Sequence, residues 1–201
     1  EYHVMWKPIG PRCNLDCKYC FYTEPAALFG EGEKYPMDHK VLEDYVRKYI
    51  QSQTAPEINF AWQGGEPTLM GLDFFRKAAA LQKRYARGRN VTNSIQTNGI
   101  LLDEKWCKFL AKENFLVGLS IDGPRDIHDK YRVDRGGNPT FDKVMESMKR
   151  LQDWHVEYNT LSSVTRASSQ DPLGIYDFLK STRTKFMQFI PIVERRVDPE
   201  A

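Results

Sequence analysis

Three cysteines on eight consecutive positions carry the most evident chemistry of this sequence: Cys13-Asn14-Leu15-Asp16-Cys17-Lys18-Tyr19-Cys20. The chain holds only four cysteines in 201 residues, so the grouping does not follow from composition. A disulfide framework spreads its cysteines to staple distant segments, whereas clustered thiols suit a metal site in a reducing cytoplasm. A structural zinc site wants four ligands, usually in paired Cys-x-x-Cys units; Cys17 and Cys20 form one pair and no second follows. His3, His39, His128 and His155 are scattered, with none at ligand spacing from another. A thioredoxin-type redox pair would leave Cys13 superfluous. Three local thiolates can instead hold three corners of a 4Fe–4S cube. Electron carriers use four cysteines per cube, so here one iron would stay open to an outside ligand. The fourth cysteine, Cys107, sits beside Trp106 and near Phe109 and Leu110 on an expected helix, and reads as a core thiol.

Such a loop needs a scaffold, and the flanking pattern supplies one. Short apolar runs rich in β-branched and aromatic residues predict strands at Tyr2–Pro8, Glu57–Trp62, Val91–Gln96, Phe115–Ile121, Val156–Val164 and Phe186–Val193. Helical stripes lie between them. Val41, Leu42, Tyr45, Val46, Tyr49 and Ile50 form one behind Asp38, and Phe141, Val144, Met148 and Leu151 form another after Thr140. Asp171-Pro172 reads as a cap followed by a first-turn proline, and Asp103 is placed to cap the helix of Trp106. Six strands alternating with about five helices indicate an α/β fold with a parallel sheet. A closed eight-fold barrel takes about 250 residues. A partial (β/α)6 barrel of parallel strands fits the length better, with an open doubly wound sheet as the alternative. In both, ligands gather at the carboxyl ends of the strands. The unusual residues fall there: the cysteines after strand one, Gly64-Gly65-Glu66-Pro67 after strand two, Asn98-Gly99 after strand three, and Ser120-Ile121-Asp122-Gly123-Pro124 around the end of strand four.

Composition bounds the rest. At 41% hydrophobic, 28% charged and net +2, the chain is an ordinary globular one with no global field for nucleic acid or membrane. No run approaches the roughly 20 apolar residues of a membrane span. The N-terminus shows no basic-then-apolar leader, so a cytoplasmic setting is expected. The sequence starts at Glu1 without an initiator Met and stops at Glu200-Ala201, as a piece of a longer protein would.

Cys-x-x-x-Cys-x-x-Cys after the first strand of an α/β chain resembles the radical S-adenosylmethionine enzymes. In that family the open iron is chelated by the methionine amino and carboxylate groups of S-adenosylmethionine. An electron from the cube cleaves the sulfonium, and the resulting 5′-deoxyadenosyl radical removes a substrate hydrogen. The resemblance implies cluster ligation by Cys13, Cys17 and Cys20. It implies that Gly64, Gly65 and Glu66 receive the methionine ammonium, and that Ser120 and Arg132 meet the cofactor's ribose and carboxylate. Tyr19 and Val193 would meet its adenine.

Longer stretches narrow the resemblance. Cys17-Lys18-Tyr19-Cys20-Phe21-Tyr22, Trp62-Gln63-Gly64-Gly65-Glu66-Pro67-Thr68-Leu69, Gln96-Thr97-Asn98-Gly99, Gly118–Pro124 and Gln188-Phe189-Ile190-Pro191 resemble the anaerobic sulfatase-maturating enzymes. Those oxidise a cysteine or serine of a sulfatase to Cα-formylglycine. The resemblance implies a sulfatase polypeptide as substrate, a reduced flavodoxin- or ferredoxin-like donor, and Tyr22 and Gln63 beside the target residue. Family members continue into a cysteine-rich domain that holds two auxiliary clusters and the proposed catalytic Asp. No cysteine follows Cys107 here, so residues 1–201 are expected to be the radical domain alone. Apart from a zinc-binding structural domain, two alternatives stand beside this reading. One is another peptide-modifying radical maturase, such as a thioether-forming one, and the other is a non-catalytic iron–sulfur electron-transfer or sensing module.

Overall fold

The computed structural model describes residues 2–22 and 36–193. Six strands form one sheet: β1 (Met5–Trp6), β2 (Glu57–Trp62), β3 (Asn90–Thr97), β4 (Phe115–Ser120), β5 (Tyr158–Val164) and β6 (Met187–Pro191). Every neighbouring pair is parallel, and the spatial order repeats the chain order from β1 to β6. That order decides between the two architectures. Right-handed crossovers that always step in one direction place every helix on one face of the sheet. A doubly wound sheet needs a reversal of strand order, and the described strands show none. The sheet is therefore the wall of a partial barrel, with an outer face under helices and an inner face left open.

The strand sequences match that asymmetry. On β2, Ile58, Phe60 and Trp62 are buried, while the alternate residues are smaller or more polar. The pairing register places Ala61 beside Ser94, Gln96 beside Gly118 and Ser120 beside Leu161, so the opposite face is lined largely by small and polar side chains. The crossover helices are α1 (His39–Ser52), α2 (Leu72–Tyr85), α3 (Glu104–Lys112), α4 (Arg125–Tyr131), α5 (Phe141–Asp153) and α6 (Pro172–Ser181). α1 buries Leu42, Val46, Tyr49 and Ile50, four of the six stripe residues. Asp38, Asp103 and Asp171 each cap the helix expected of them, accepting from Val41, Trp106 and Gly174 backbone N–H groups. Thr140 makes no side-chain cap; Asp129 of α4 accepts from the Thr140 and Phe141 N–H groups instead, tying α4 to the start of α5. Trp6, Phe60, Trp62, Phe75 and Trp106 stack through the core at centroid spacings of 4.9–6.0 Å.

The two terminal strands are shorter than expected. β1 pairs with β2 only through Met5 and Trp6, because an edge strand has one neighbour and Pro8 has no N–H for the ladder. β6 ends at Pro191, not Val193. Among the described residues no helix is long and apolar enough to cross a membrane.

Candidate functional site

The cysteine loop leaves β1 and is pinned from two sides. Beyond α4, the chain runs beside it: Asp16 N–H donates to the Val133 carbonyl at 2.9 Å and Lys18 N–H to the Tyr131 carbonyl at 3.0 Å. Arg135 reaches back with two donors to the Cys13 carbonyl, at 3.1 and 2.7 Å. On the other side, Glu66 N–H donates to the Arg12 carbonyl at 2.8 Å. The glycines permit this contact. Gly65 has φ +44°, and a Cβ there would lie 2.0 Å from the Arg12 oxygen; Gly64 has φ +86° and packs on the Lys7 stem. The missing side chain at Gly65 is thus used by the cysteine loop itself.

Cys13 and Cys17 each lie within electrostatic reach of Cys20 and of one another. Burial raises the Cys13 thiol and pushes Cys17 up to about 11, against the pull of Arg132. Without metal these thiols stay protonated at neutral pH, so binding iron releases protons. Cys13 Sγ also accepts from Leu15 N–H at 3.4 Å and Asn98 Nδ2 at 3.6 Å. Cys107 is apart from them, fully buried on α3 and pushed up to about 11 by that burial. It is a core thiol.

Two carboxylates flank the loop. Glu66 is 1% exposed, and four uncharged donors converge on it. Its Oε1 accepts from Thr68 N–H (3.0 Å), Thr68 Oγ1 (2.6 Å) and Thr97 Oγ1 (2.8 Å), and its Oε2 from Asn98 N–H (2.7 Å). Burial still outweighs these donors and raises its pKa. Asn98 passes the connection on: its Nδ2 donates to Asn14 Oδ1 at 2.8 Å and to Cys13 Sγ. Glu66 therefore links the ends of β2 and β3 to the first cysteine.

Asp122, also 1% exposed, does the equivalent beyond β4. Its Oδ2 accepts from the Tyr19 hydroxyl and pairs with Arg132 Nε at 3.0 Å, and its Oδ1 accepts from Ser163 N–H at 2.9 Å. Arg132 is 9% exposed; its Nε is close enough to Asp122 for an ion pair but not aligned as a hydrogen bond. Burial disfavours the guanidinium charge, yet Asp122 and Tyr19 hold its pKa above the usual arginine value. Tyr19 is raised by burial, with Arg132 opposing. The Arg132 guanidinium carbon lies 5.5 Å from the Tyr19 ring centre. Behind them His128 is fully buried and lowered to about 4 by burial and by Arg132, so it is neutral at pH 7. Its Nδ1 accepts from Asp122 N–H, while Nε2 meets Thr140 Oγ1, whose hydroxyl donates to the Arg132 carbonyl. That pattern places the His128 proton on Nε2.

The remaining expected residues fall unevenly. Ser120 is the last residue of β4, buried, on the inner face opposite Leu161. Gln63 donates from Nε2 to Met5 Sδ, and Tyr22 lies under Lys7 with Nζ 5.3 Å from its ring centre, so both belong to the mouth at β1 and β2. Val193 does not join the site by its side chain: it lies past β6 and is 91% exposed. A cavity of about 300 Å³ adjoins the Asp122 side, lined by Asp122, Ser163, Ser168, Tyr176 and Phe189 among others. Sequence reasoning assigned no role to Asp122, Asn98, His128 or Thr140. The only available signal for the first two was their place in motifs at strand ends.

A protein-family profile described as the radical SAM superfamily matches residues 8–165, from the end of β1 to the end of β5. The chain belongs to the radical SAM superfamily. That family's cofactors are a 4Fe–4S cluster and S-adenosylmethionine, and the residues present fit both. The donor set is three thiols on one loop, as a cube with one open iron requires. Among the described residues no three His, Cys, Asp or Glu side chains are gathered closely enough for a single metal ion. The buried guanidinium of Arg132, at the same edge of the sheet as the cysteine loop, suits an anionic group.

Curated relatives sharpen the likeness. The radical SAM chain is 47% identical over 195 residues to a serine-type anaerobic sulfatase-maturating enzyme of Bacteroides thetaiotaomicron, covering 97% of this chain and 47% of that one. It is 41% identical over 197 residues to a cysteine-type enzyme of Clostridium novyi, covering 98% and 52%. Among solved structures it superposes with a TM-score of 0.88 on native anSMEcpe with bound AdoMet and Cp18Cys peptide, at 38% identity, covering 98% of this chain and 53% of that one. The chain thus spans about half the length of the relatives it matches.

Proposed function

We propose that residues 1–201 are the radical domain of an anaerobic sulfatase-maturating enzyme, which oxidises a cysteine or serine of a sulfatase to Cα-formylglycine. The observation that carries this reading is the convergence of Cys13, Cys17 and Tyr19 with Glu66–Asn98 on one side and Asp122–Arg132 on the other, at one edge of a parallel sheet. The relatives' names and the peptide in the superposed structure support the substrate class. When bound, the cluster and S-adenosylmethionine supply one-electron cleavage of a sulfonium and a primary radical able to take a hydrogen atom.

The chain's own residues bind and orient. Cys13, Cys17 and Cys20 hold three corners of the cube. Arg132 and Ser120 receive the cofactor's carboxylate and ribose, Gly64 and Gly65 its ammonium, and Tyr19 and the Val193 backbone its adenine. Glu66, whose carboxylate already holds four protein donors, shapes the glycine loop for that ammonium. Tyr22 and Gln63 face the target side chain. Loss of one hydrogen atom, one proton and one electron from CH2–OH gives the aldehyde; the same loss from CH2–SH gives a thioaldehyde, which water hydrolyses. The base and the electron's exit belong to a cysteine-rich domain outside these residues. A flavodoxin- or ferredoxin-like protein supplies the reducing electron, in a reducing cytoplasm.

Anaerobic incubation with dithionite, S-adenosylmethionine and a sulfatase-derived peptide tests the reading, with mass spectrometry for nucleoside and aldehyde. Slow release of 5′-deoxyadenosine and methionine without aldehyde is the expected result for these residues alone. Aldehyde formed at the nucleoside's rate would overturn the division between two domains. A cluster whose spectrum ignores S-adenosylmethionine would favour a plain electron carrier.

A further inference from the structure

We propose that Asp122 is a positioning residue that locks Tyr19 of the cysteine loop and Arg132 into one unit, fixing the guanidinium relative to the cluster ligands before the cofactor arrives. The inference rests on the assignment of Arg132 to S-adenosylmethionine and adds the device that aims it.

The contacts join four separated segments at one side chain. Tyr19 stands between Cys17 and Cys20, so whatever holds its hydroxyl holds the loop carrying two ligands. The same oxygen that accepts from Tyr19 pairs with Arg132, and the other oxygen takes Ser163 N–H at the top of β5. Arg132 is gripped at its main chain as well, because its carbonyl accepts from Thr140 Oγ1 at 2.8 Å. Thr140 Oγ1 lies 3.1 Å from His128 Nε2, and His128 Nδ1 accepts from Asp122 N–H. The path closes on itself, from the Asp122 backbone through His128 and Thr140 to Arg132, and from the guanidinium back to the Asp122 carboxylate. A closed, buried network of this kind removes side-chain freedom during folding, so less is lost on binding. A buried ion pair that only stabilised the fold would not need an arm on the cysteine loop.

The test separates these roles. Tyr19→Phe, Asp122→Asn and Arg132→Ala proteins are reconstituted anaerobically, their iron is counted, and S-adenosylmethionine is titrated against the electron paramagnetic resonance signal of the reduced cluster. Tyr19→Phe keeps the ring and the backbone and removes only the hydroxyl arm. It is expected to retain full iron and to bind the cofactor about tenfold more weakly, with Asp122→Asn at least as weak. If Asp122→Asn does not hold its cluster, Tyr19→Phe decides alone. Wild-type affinity in Tyr19→Phe while Arg132→Ala is weakened overturns the positioning role and leaves the site assignment standing. Wild-type affinity in all three overturns the site assignment with it. A Tyr19→Phe protein that loses iron in step with its melting temperature, while its loaded fraction binds normally, also overturns the proposal, since it marks a purely structural contact.

Discussion

The two carboxylates beside the cysteine loop have the same burial and opposite electrostatics. Glu66 and Asp122 are each 1% exposed and each sits just past the end of a strand. Among the described residues, Glu66 accepts from hydroxyl and amide donors, all of them uncharged. Asp122 has a guanidinium at 3.0 Å. Dipoles can hold a charge in place, but they do not cancel it, and burial leaves Glu66 with a raised pKa. A paired charge is cancelled, at the risk that removing one partner strands the other. The Glu66 side is therefore a clasp for backbone, fixing the loops after β2 and β3 against Cys13. The Asp122 side brings a cation into the site and holds it there.

The largest expected effect breaks the ionic side. Asp122→Asn leaves Arg132 buried without its counter-charge, which costs about 3–5 kcal/mol of stability. Urea unfolding of wild type and variant measures it. Replacing both partners, Asp122→Asn with Arg132→Met, is expected to recover much of the loss, because no uncompensated charge remains. A double variant as unstable as the single one would mean that Asp122 acts through its hydrogen bonds to Tyr19 and Ser163 and not through charge.

His128 gives that side a pH signature. Its folded pKa of about 4 lies below the usual 6.5, so the unfolded chain binds more protons between these values. Stability then rises with pH across this window and is lost as pH falls from 6.5 to 4. Full expression of the shift is worth about 3 kcal/mol, at 1.36 kcal/mol per pH unit. Asp44, Asp134 and Asp142 have pKa values lowered below 3.8, so their contribution disappears at more acid pH. Urea midpoints at pH 7 and pH 4.5 should converge in His128→Asn relative to wild type. An unchanged gap would place the acid sensitivity elsewhere.

What the sequence made legible follows the same division. Local signals were enough for the helix caps at Asp38, Asp103 and Asp171, because cap and partner are three residues apart. Strand positions and the ligand edge were legible too, since alternation and glycine-rich exits are local features. The parallel class followed from alternation of elements and the length favoured the partial barrel, but excluding the doubly wound order required knowing which strands pair. The clasps were beyond reach for that reason. Tyr19 meets Asp122 across 103 positions, and Glu66 meets Asn98 across 32. The resemblance gave Gly65 to the ammonium, and only the packing of the cysteine loop on the glycine loop shows the Arg12 carbonyl lying where a Gly65 side chain would be. Val193 was assigned by resemblance as the residue closing the sixth strand, which says nothing about how exposed its side chain is.

The neutral side should yield more gently. Glu66→Gln replaces a carboxylate whose described donors are all uncharged and keeps one carbonyl oxygen as acceptor. Its new amide must face either Asn98 N–H or the side holding Thr68 N–H and the two threonine hydroxyls, each of which donates to Glu66. One or two donors are left unsatisfied, for about 1–3 kcal/mol. The variant should therefore be less destabilised than Asp122→Asn, measured under identical urea conditions. Because Asn98 is released from its anchor, iron retention against a chelator should also fall. A Glu66→Gln protein as unstable as Asp122→Asn would erase the distinction between dipolar and ionic clasps.

The smallest effect tests whether burial, and not the number of bonds, sets the worth of a contact to the loop. Arg135 makes two hydrogen bonds to the Cys13 carbonyl, as many anchoring contacts as Asn98 makes with Asn14 and Cys13. Its side chain is exposed, so water replaces either donor with little loss, and a long side chain must be ordered to make them. Arg135→Ala is expected to change stability by less than about 1 kcal/mol and to leave iron content unchanged after reconstitution. Asn98→Ala, at a buried position, removes a donor whose two acceptors are only partly open to water, and should shed iron to a chelator several times faster than Arg135→Ala. The pair of chelator rates measured side by side gives the comparison directly. If Arg135→Ala lost iron as fast as Asn98→Ala, the loop would be held by its exposed flank and not by the buried clasp at Glu66.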